Sequence, residues 1–232
     1  MSAHIDEKSG DHALETQLSK VSITSDRPLL ITDADEVLFA FMRGFERHLH
    51  ANDALFNWES FRLNGNILAR ETGEPLPNPD VRTLLMSYFE QHTRSMDVVD
   101  HAPAMLQQLS LRMQIVVLSN LPHPQRPARA AALQDHGMSF PIISNEGSKA
   151  DAVAHLSGQT TAPVFFIDDS PTHHREVAEI ADHVVRIHFI SNPRLGDLLG
   201  PAEASHFRAR DWPEICAFIE DHLDRHTETT PA

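Results

Sequence analysis

The sequence predicts an α/β fold, with a three-layer, Rossmann-like and mostly parallel sheet and an inserted helical cap. Short apolar runs of the length of buried parallel strands recur along the chain, and helical patterns separate the later ones. One long interval after the first run carries helical stripes but no convincing strand. Alternating strands and helices indicate parallel strands joined by right-handed crossovers, with helices on both faces of the sheet.

The predicted elements follow in chain order. Strands are expected over residues 28–32, 114–118, 141–143, 163–167 and 183–187, with a short edge strand over 207–210. Helices are expected over about 101–112, 124–136, 148–157 and 170–181. A last helix is predicted to begin near Asp211, where Asp211 and Glu214 can form a capping box. Its apolar face includes the single cysteine, Cys216, as a core residue.

The domain organisation follows from where this alternation is interrupted. Residues 40–97 are predicted to form a helical cap inserted into a core made of 27–39 and 98–224. Apolar residues recur there at helical spacing, first at Phe41, Phe45 and Leu49, then from Val81 to Met96. An insertion directly after the first strand is expected to lie over the carboxyl ends of the sheet. Residues 1–26 and 225–232 lack sustained periodicity and are expected to be flexible tails.

Composition excludes several classes of function. A formal net charge of −14 argues against nucleic acid or anionic membrane as the main partner, because both require a basic surface. One cysteine excludes an intrachain disulfide and a cysteine-rich zinc site. The N-terminus resembles no signal peptide and no run approaches a bilayer span, so a cytoplasmic monomer or homodimer is expected.

Polar residues follow the predicted strands at the points where they end. Because the carboxyl ends of parallel strands meet at one edge of a sheet, these residues are expected to line one crevice. They are Asp33 and Asp35, Ser119 and Asn120, Lys149 near Gly147, and Asp168 and Asp169. Carboxylates this close repel each other, and a magnesium ion with oxygen ligands neutralises them. The pattern therefore predicts phosphoryl transfer, with Lys149 offsetting the charge of the phosphoryl group.

These motifs, in this order, resemble those of the haloacid dehalogenase-like hydrolase superfamily, over residues 28 to about 220. The resemblance implies that Asp33 is the nucleophile and forms an aspartyl-phosphate. It implies that Asp35 is the acid and base, and that its carbonyl joins Asp33, Asp168 and Asp169 around Mg²⁺, Asp169 being the first choice for a metal carboxylate. It also implies that Ser119, Asn120 and Lys149 bind the phosphoryl group.

The sequence departs from the family's pattern at two positions, and it leaves alternative functions open. Glu36 stands where the family usually has a small residue, and His173 where a further acid is common. Asp35 argues against a dehalogenase, and the lack of lysine between Phe39 and Asp97 argues against a phosphonatase. A phosphatase acting on a small phosphorylated metabolite is predicted, with a phosphomutase or a binding module without turnover as alternatives. The candidate substrate contacts are Arg62, Arg70, His123 and Arg126.

Overall fold

The computed structural model describes residues 13–229 and contains a six-stranded parallel sheet. Eight strands occur in these residues: β1 (Leu29–Thr32), β2 (Ala54–Phe56), β3 (Ile67–Ala69), β4 (Gln114–Ser119), β5 (Ile142–Ser144), β6 (Val164–Asp168), β7 (Val185–His188) and β8 (Phe207–Arg208). The large sheet has the order β5-β4-β1-β6-β7-β8, and all its pairs are parallel. This confirms the predicted α/β class.

Helices cover both faces of this sheet. The helical segments are α1 (residues 13–18), α2 (Phe41–Ala51), α3 (Asn78–His92), α4 (Ala102–Ser110), α5 (Arg126–Asp135), α6 (Ala150–Ser157), α7 (Pro171–Ile180), α8 (Pro193–Leu198) and α9 (Trp212–Thr229). Leu30 and Phe165 face one core, shared with α4, α5 and α9, whereas Ile31 and Phe166 face the other, shared with α6 and α7. Successive side chains of these buried strands point to opposite faces of the sheet, so each strand contributes apolar residues to both cores. Within residues 13–229, no helix combines the length and apolar character of a bilayer span.

The predicted tails need correction where the structure describes them. Residues 13–18 are helical, and Leu18 of this helix is 8% exposed and packs in the second core. The Gln17 side chain exchanges hydrogen bonds with the backbone of Ser144. At the other end α9 continues to Thr229, beyond the predicted limit near Arg225. Residues 1–12 and 230–232 lie outside the described part, so the prediction for them stays open.

The inserted segment is not purely helical, so the expectation of a strand-free cap is wrong. β2 and β3 form an antiparallel hairpin in which Ala54 pairs with Ala69 and Phe56 with Ile67. Strands of three residues are too short to show the alternation from which a strand is predicted. The second predicted stripe also ends earlier, because α3 stops at His92. The short helix α8 was missed as well; the Asn192 side chain caps its first turn.

Glu36 lies in the loop after β1 and connects that loop to the inserted segment and to the core. Its side chain is buried, and its carboxylate accepts hydrogen bonds from the Met42 amide at 2.6 Å, the Ser191 hydroxyl at 2.7 Å and the Asn192 amide at 3.0 Å. Met42 lies in the first turn of α2, which has no side-chain cap of its own, so Glu36 supplies a remote one. Burial raises the pKa of Glu36.

Glu36 also has an unusual backbone conformation, with a φ of 59°. A glycine adopts this left-handed region without the steric cost that a side chain incurs. Glutamate is nevertheless present, because its carboxylate satisfies three donors that a glycine would leave unpaired. The departure at position 36 is therefore explained by packing of the insertion on the core.

We expect Glu36→Ala to lower the free energy of unfolding by about 2–3 kcal/mol, because it leaves buried donors without a charged acceptor. Urea denaturation measures this change. Glu59→Ala, at an exposed position of the same insertion, is the control and is expected to change stability by less than about 0.5 kcal/mol. Equal effects of the two substitutions would contradict the role assigned to Glu36.

Candidate active site

A cavity of about 270 Å³ lies between the carboxyl ends of the strands and the inserted segment. Its polar wall includes Asp33, Asp35, Asn120, Lys149 and Asp169. These residues come from the segments after β1, β4, β5 and β6, as the parallel arrangement predicts. The structure therefore brings most of the predicted site residues to one place.

Lys149 is the central charge of this site. Its Nζ lies 2.6 Å from Oδ1 of Asp33 and 2.7 Å from Oδ2 of Asp168, and its side chain is only 1% exposed. Burial would lower the pKa of Lys149, but Asp168 and Asp33 outweigh this effect and raise it. The ammonium is therefore held charged in the interior by two carboxylates.

The two carboxylates that bind Lys149 are not equivalent. Burial would raise the pKa of Asp168, but Lys149 and His173 hold it well below its usual range. For Asp33, burial and the nearby acids raise the pKa to about 6, although Lys149 opposes them. Burial and the neighbouring Asp168 and Asp33 also raise the pKa of Asp169 well above its ordinary value. One ammonium does not neutralise this group of acids.

Asp168 is engaged on both oxygens. Besides Lys149, it accepts from the Ser170 amide at 2.9 Å and contacts Nδ1 of His173 at 3.0 Å, and its side chain is fully buried. Asp168 is not among the residues that line the cavity. Asp168 therefore contacts Lys149 and His173, whereas Asp169 and Asp33 line the cavity; its role as a metal carboxylate stays a prediction.

The loop that carries Lys149 is held by two asparagines. The Asn120 side chain donates to the Gly147 carbonyl at 2.7 Å and accepts from the Asn145 side chain at 2.8 Å. Asn145 donates in turn to the Ser148 carbonyl. The Asn120 amide thus holds the loop through its oxygen and one N–H, and Asn120 also lines the cavity, so its binding of phosphate stays a prediction. Asn145 was missed, because a loop asparagine has no distinctive spacing.

Ser119 lies at the end of β4 with its side chain fully buried. Its hydroxyl has no hydrogen-bond partner within residues 13–229. A buried hydroxyl without a partner is costly, since folding has removed its water. Ser119 is not among the residues that line the cavity, so its role in binding phosphate stays a prediction.

Asp35 has a partner that sequence reasoning missed. Nη2 of Arg129 lies 2.7 Å from Oδ1 of Asp35, and the Arg129 side chain is completely buried in α5. Its guanidinium also lies over the Phe39 ring, at 4.8 Å from the centroid. Among the described residues Asp35 is its only acidic partner, and its Nε and Nη1 have none. The available indication was position: Arg129 shares the buried helical face of Ala132 and Leu133.

The four predicted substrate contacts do not line the cavity. Arg62 and Arg70 are exposed, and Arg70 donates to the His50 carbonyl at 3.0 Å. His123 contacts the Ser144 hydroxyl, and Arg126 reaches toward the Ile142 carbonyl. The structure does not place these four residues at the cavity, and their contact with substrate stays a prediction. Charge and solvent exposure alone do not reveal which way a surface arginine points.

The donor set fits a magnesium ion. In residues 13–229 no group of three or more histidine, cysteine or acidic side chains is arranged as a ready ligand cluster. Magnesium needs only one or two carboxylates, because carbonyl, water and phosphate oxygens complete its octahedron. Asp33 and Asp169 line one cavity with an excess of negative charge that a divalent cation would neutralise.

Asp33 and Asp35, in the loop after β1, are predicted to affect stability in opposite directions. The pKa of Asp33 is about 6 in the folded protein, against an ordinary 3.8. The folded state therefore binds the proton more tightly than the unfolded state, and the stability gained in this way is present at low pH and is lost as the pH rises through about 6. Without metal at pH 8, Asp33→Asn is expected to raise the free energy of unfolding by about 1–2 kcal/mol. Asp35→Asn is expected to lower it by about 2–4 kcal/mol, because Arg129 loses its carboxylate partner.

Urea denaturation in EDTA measures both changes. The gain from Asp33→Asn should shrink at pH 5, where the carboxyl is already protonated. Adding Arg129→Met to Asp35→Asn removes the buried charge and should restore most of the lost stability. A shared sign for the two single substitutions would refute this charge assignment.

Comparisons with known proteins establish the fold. No protein-family model matches the chain, and no curated protein matches its sequence. A haloacid dehalogenase-like protein of unknown function from Agrobacterium tumefaciens has a TM-score of 0.58 at 16% identity, over 86% of this chain and 99% of that chain. A haloacid dehalogenase-like hydrolase from Streptococcus pneumoniae has a TM-score of 0.56 at 12% identity, over 83% and 98%.

A third similar structure is a HAD hydrolase from Bacillus subtilis, named YfnB and described as bound to magnesium. It has a TM-score of 0.54 at 14% identity, over 85% of this chain and 100% of that chain. Identities this low show similarity of fold, and each of these structures is matched over nearly its whole length. The chain therefore has the haloacid dehalogenase-like fold that its four motifs predict.

Proposed function

We propose that the chain is a Mg²⁺-dependent phosphoric monoester hydrolase that acts through an aspartyl-phosphate on Asp33. One observation carries the proposal: a buried Lys149 holds Asp33 at the floor of a cavity that Asp35 and Asp169 also line. The residues that we propose as nucleophile, as acid and base, as fixed cation and as metal carboxylate thus all line one cavity. Phosphoryl transfer requires this combination of positioning and charge stabilisation.

In the first step Asp33 attacks the phosphorus of the ester. Lys149 binds Oδ1 of Asp33, which leaves its second oxygen to form the bond to phosphorus. The bond between phosphorus and the ester oxygen breaks, and Asp35 donates a proton to that oxygen. We propose that the Ser119 hydroxyl binds one oxygen of the phosphoryl group; it has no other partner within residues 13–229, although Ser119 is not among the residues that line the cavity.

In the second step water releases phosphate. Asp35, now ionised, takes a proton from the water, which attacks phosphorus and breaks its bond to Asp33. Asp33 and Asp35 are thereby restored for the next cycle. The ion pair with Arg129 engages Oδ1 of Asp35, which leaves the other oxygen for the proton. Arg129 is therefore a positioning residue in this mechanism.

The proposed metal site uses residues already described. The carboxylates of Asp33 and Asp169, with the backbone carbonyl of Asp35, would hold Mg²⁺. When bound, the ion would offset the charge of the phosphoryl group and of the surrounding acids. His173 bonds to Asp168 and lines the cavity, so it also borders this site.

The proposed substrate is a small phosphorylated metabolite, and we propose neither a nucleic-acid nor a membrane partner. The net charge of −14 argues against nucleic-acid and membrane partners, because both require a basic surface. A cytoplasmic monomer or homodimer remains our working proposal. A phosphomutase would use the same catalytic groups but would exclude water more completely. A binding module without turnover is less well supported, because every proposed catalytic position holds a competent side chain.

We expect the protein to release phosphate from p-nitrophenyl phosphate with Mg²⁺ and to lose this activity in EDTA. Asp33→Asn should lower kcat by about 10³-fold or more, because it removes the nucleophile. Asp135→Asn, an exposed position on α5, is the matched control and should retain activity. Activity that survives Asp33→Asn would exclude the proposed intermediate. With a phosphorylated sugar, which carries free hydroxyls that can accept the phosphoryl group, isomerised ester without free phosphate would indicate a mutase.

A further inference from the structure

We propose that the group esterified to phosphate is apolar and uncharged, and about the size of one aromatic ring. This inference rests on the phosphatase function proposed above and specifies its substrate class. It follows from the walls of the cavity above the catalytic floor. The charges available in the cavity and its volume lead to the same conclusion.

The inserted segment presents only apolar side chains to the cavity. They come from the start of α2, from the loop between β2 and β3, and from the inner face of α3: Phe41, Met42, Phe61, Leu63, Leu85 and Phe89. Leu195 and Leu199, at α8, extend this surface from the core. A hydroxyl buried against such a wall would lose its water without gaining a hydrogen bond. The wall therefore disfavours a sugar or another polyol.

Within the described residues, 13–229, the cavity also lacks a cation for a second anionic group. Among the described residues that line the cavity, Lys149 is the only lysine or arginine, and its ammonium already pairs with two carboxylates of the protein. Arg47 of the inserted segment pairs with Asp97 at 2.8 Å. Arg194, at the start of α8, stacks on the Trp58 ring at 3.8 Å from its centroid and lies near Glu46. A carboxylate or second phosphate on the substrate would thus face acids without a counterion.

Two of the polar side chains at the floor already make other contacts. Asn120 holds the Lys149 loop through both ends of its amide, and Nδ1 of His173 contacts Asp168. Specific recognition of substrate hydroxyls needs unpaired polar groups directed at them. The floor therefore serves the phosphoryl group, and the apolar wall is left for the rest of the substrate.

Volume and exposure set the size of that group. The cavity encloses about 270 Å³, whereas an apolar cavity of ~150 Å³ is enough to hold benzene. A phosphoryl group and one ring are therefore compatible with it. Phe61 is 43% exposed, and it lies on the wall of this cavity. A ligand ring that covers Phe61 would remove this apolar surface from water.

The test compares phosphate esters of matched leaving-group type. Benzyl phosphate, 4-carboxybenzyl phosphate and glucose 6-phosphate are all esters of primary alcohols, so differences in kcat/KM report recognition. We expect kcat/KM for benzyl phosphate to exceed the other two values by at least about tenfold. Equal or higher values for either competitor would overturn the inference.

Two adjacent substitutions separate the apolar wall from the arginine that the sequence favoured. Phe61→Ala should lower kcat/KM for benzyl phosphate about five- to tenfold and leave that for glucose 6-phosphate within about twofold. Arg62→Ala should leave both values nearly unchanged, because its side chain is exposed outside the cavity. A larger loss in Arg62→Ala than in Phe61→Ala would overturn the assignment.

A binding measurement distinguishes failure of the inference from failure of the proposed function. Calorimetry with Mg²⁺ compares benzylphosphonate, which is not hydrolysed, with 4-carboxybenzylphosphonate. If no ester is hydrolysed, the phosphatase proposal fails, but tighter binding of benzylphosphonate that weakens in Phe61→Ala still supports an apolar site. No binding of either compound, or a preference for the carboxylated one, would overturn the inference.

Discussion

The buried ammonium of Lys149 is the interaction on which the site depends. It joins the end of β1, through Asp33, to the end of β6, through Asp168. Those strands are neighbours in the sheet, so their carboxylates converge on one point and repel each other unless a cation lies between them. The loop before α6 supplies that cation, and Asn120 and Asn145 hold the loop in place. The strand order, the conformation of the loop that carries Lys149 and the balance of charge in the site therefore depend on one another.

The site carries more negative charge than its resident cations neutralise. Lys149 is shared between two acids, while Arg129 serves Asp35 from the other side and does not reach Asp33 or Asp169. Burial, together with the neighbouring acids, raises the pKa values of Asp33 and Asp169. A protein maintains such a cluster at a cost to its stability. In the proposed phosphatase, a bound cation would offset part of that cost, which would link metal affinity to stability.

Much of the core could be predicted from sequence because each strand end carries a distinctive residue. Asp33, Ser119, Lys149 and Asp168 lie at the ends of apolar runs or just before a helix, and parallel topology brings such points together. Arg129 was missed because a charged residue on an apolar helical face is ordinarily assigned to the surface. The strands β2 and β3 were missed because three residues carry no period.

The substrate side was predicted least well. Arg62 and Arg70 were candidates on charge alone, yet the cavity is lined by their apolar neighbours, Phe61 and Leu63 among them. In a short loop, adjacent side chains point in different directions, and only the backbone path determines which of them turns inward. Sequence patterns record that path poorly outside helices and strands. The chemistry of the floor was therefore more predictable than the selectivity of the wall.

The bonds of Glu36 have a consequence for how substrate enters. A rigid-body swing of the inserted segment that separates Met42 from Ser191 and Asn192 would have to break buried bonds to one carboxylate. The loop between β2 and β3 carries no such restraint from Glu36, and Phe61 and Leu63 lie on it. In the proposed phosphatase, substrate entry would then require displacement of the loop between β2 and β3 rather than rotation of the whole inserted segment.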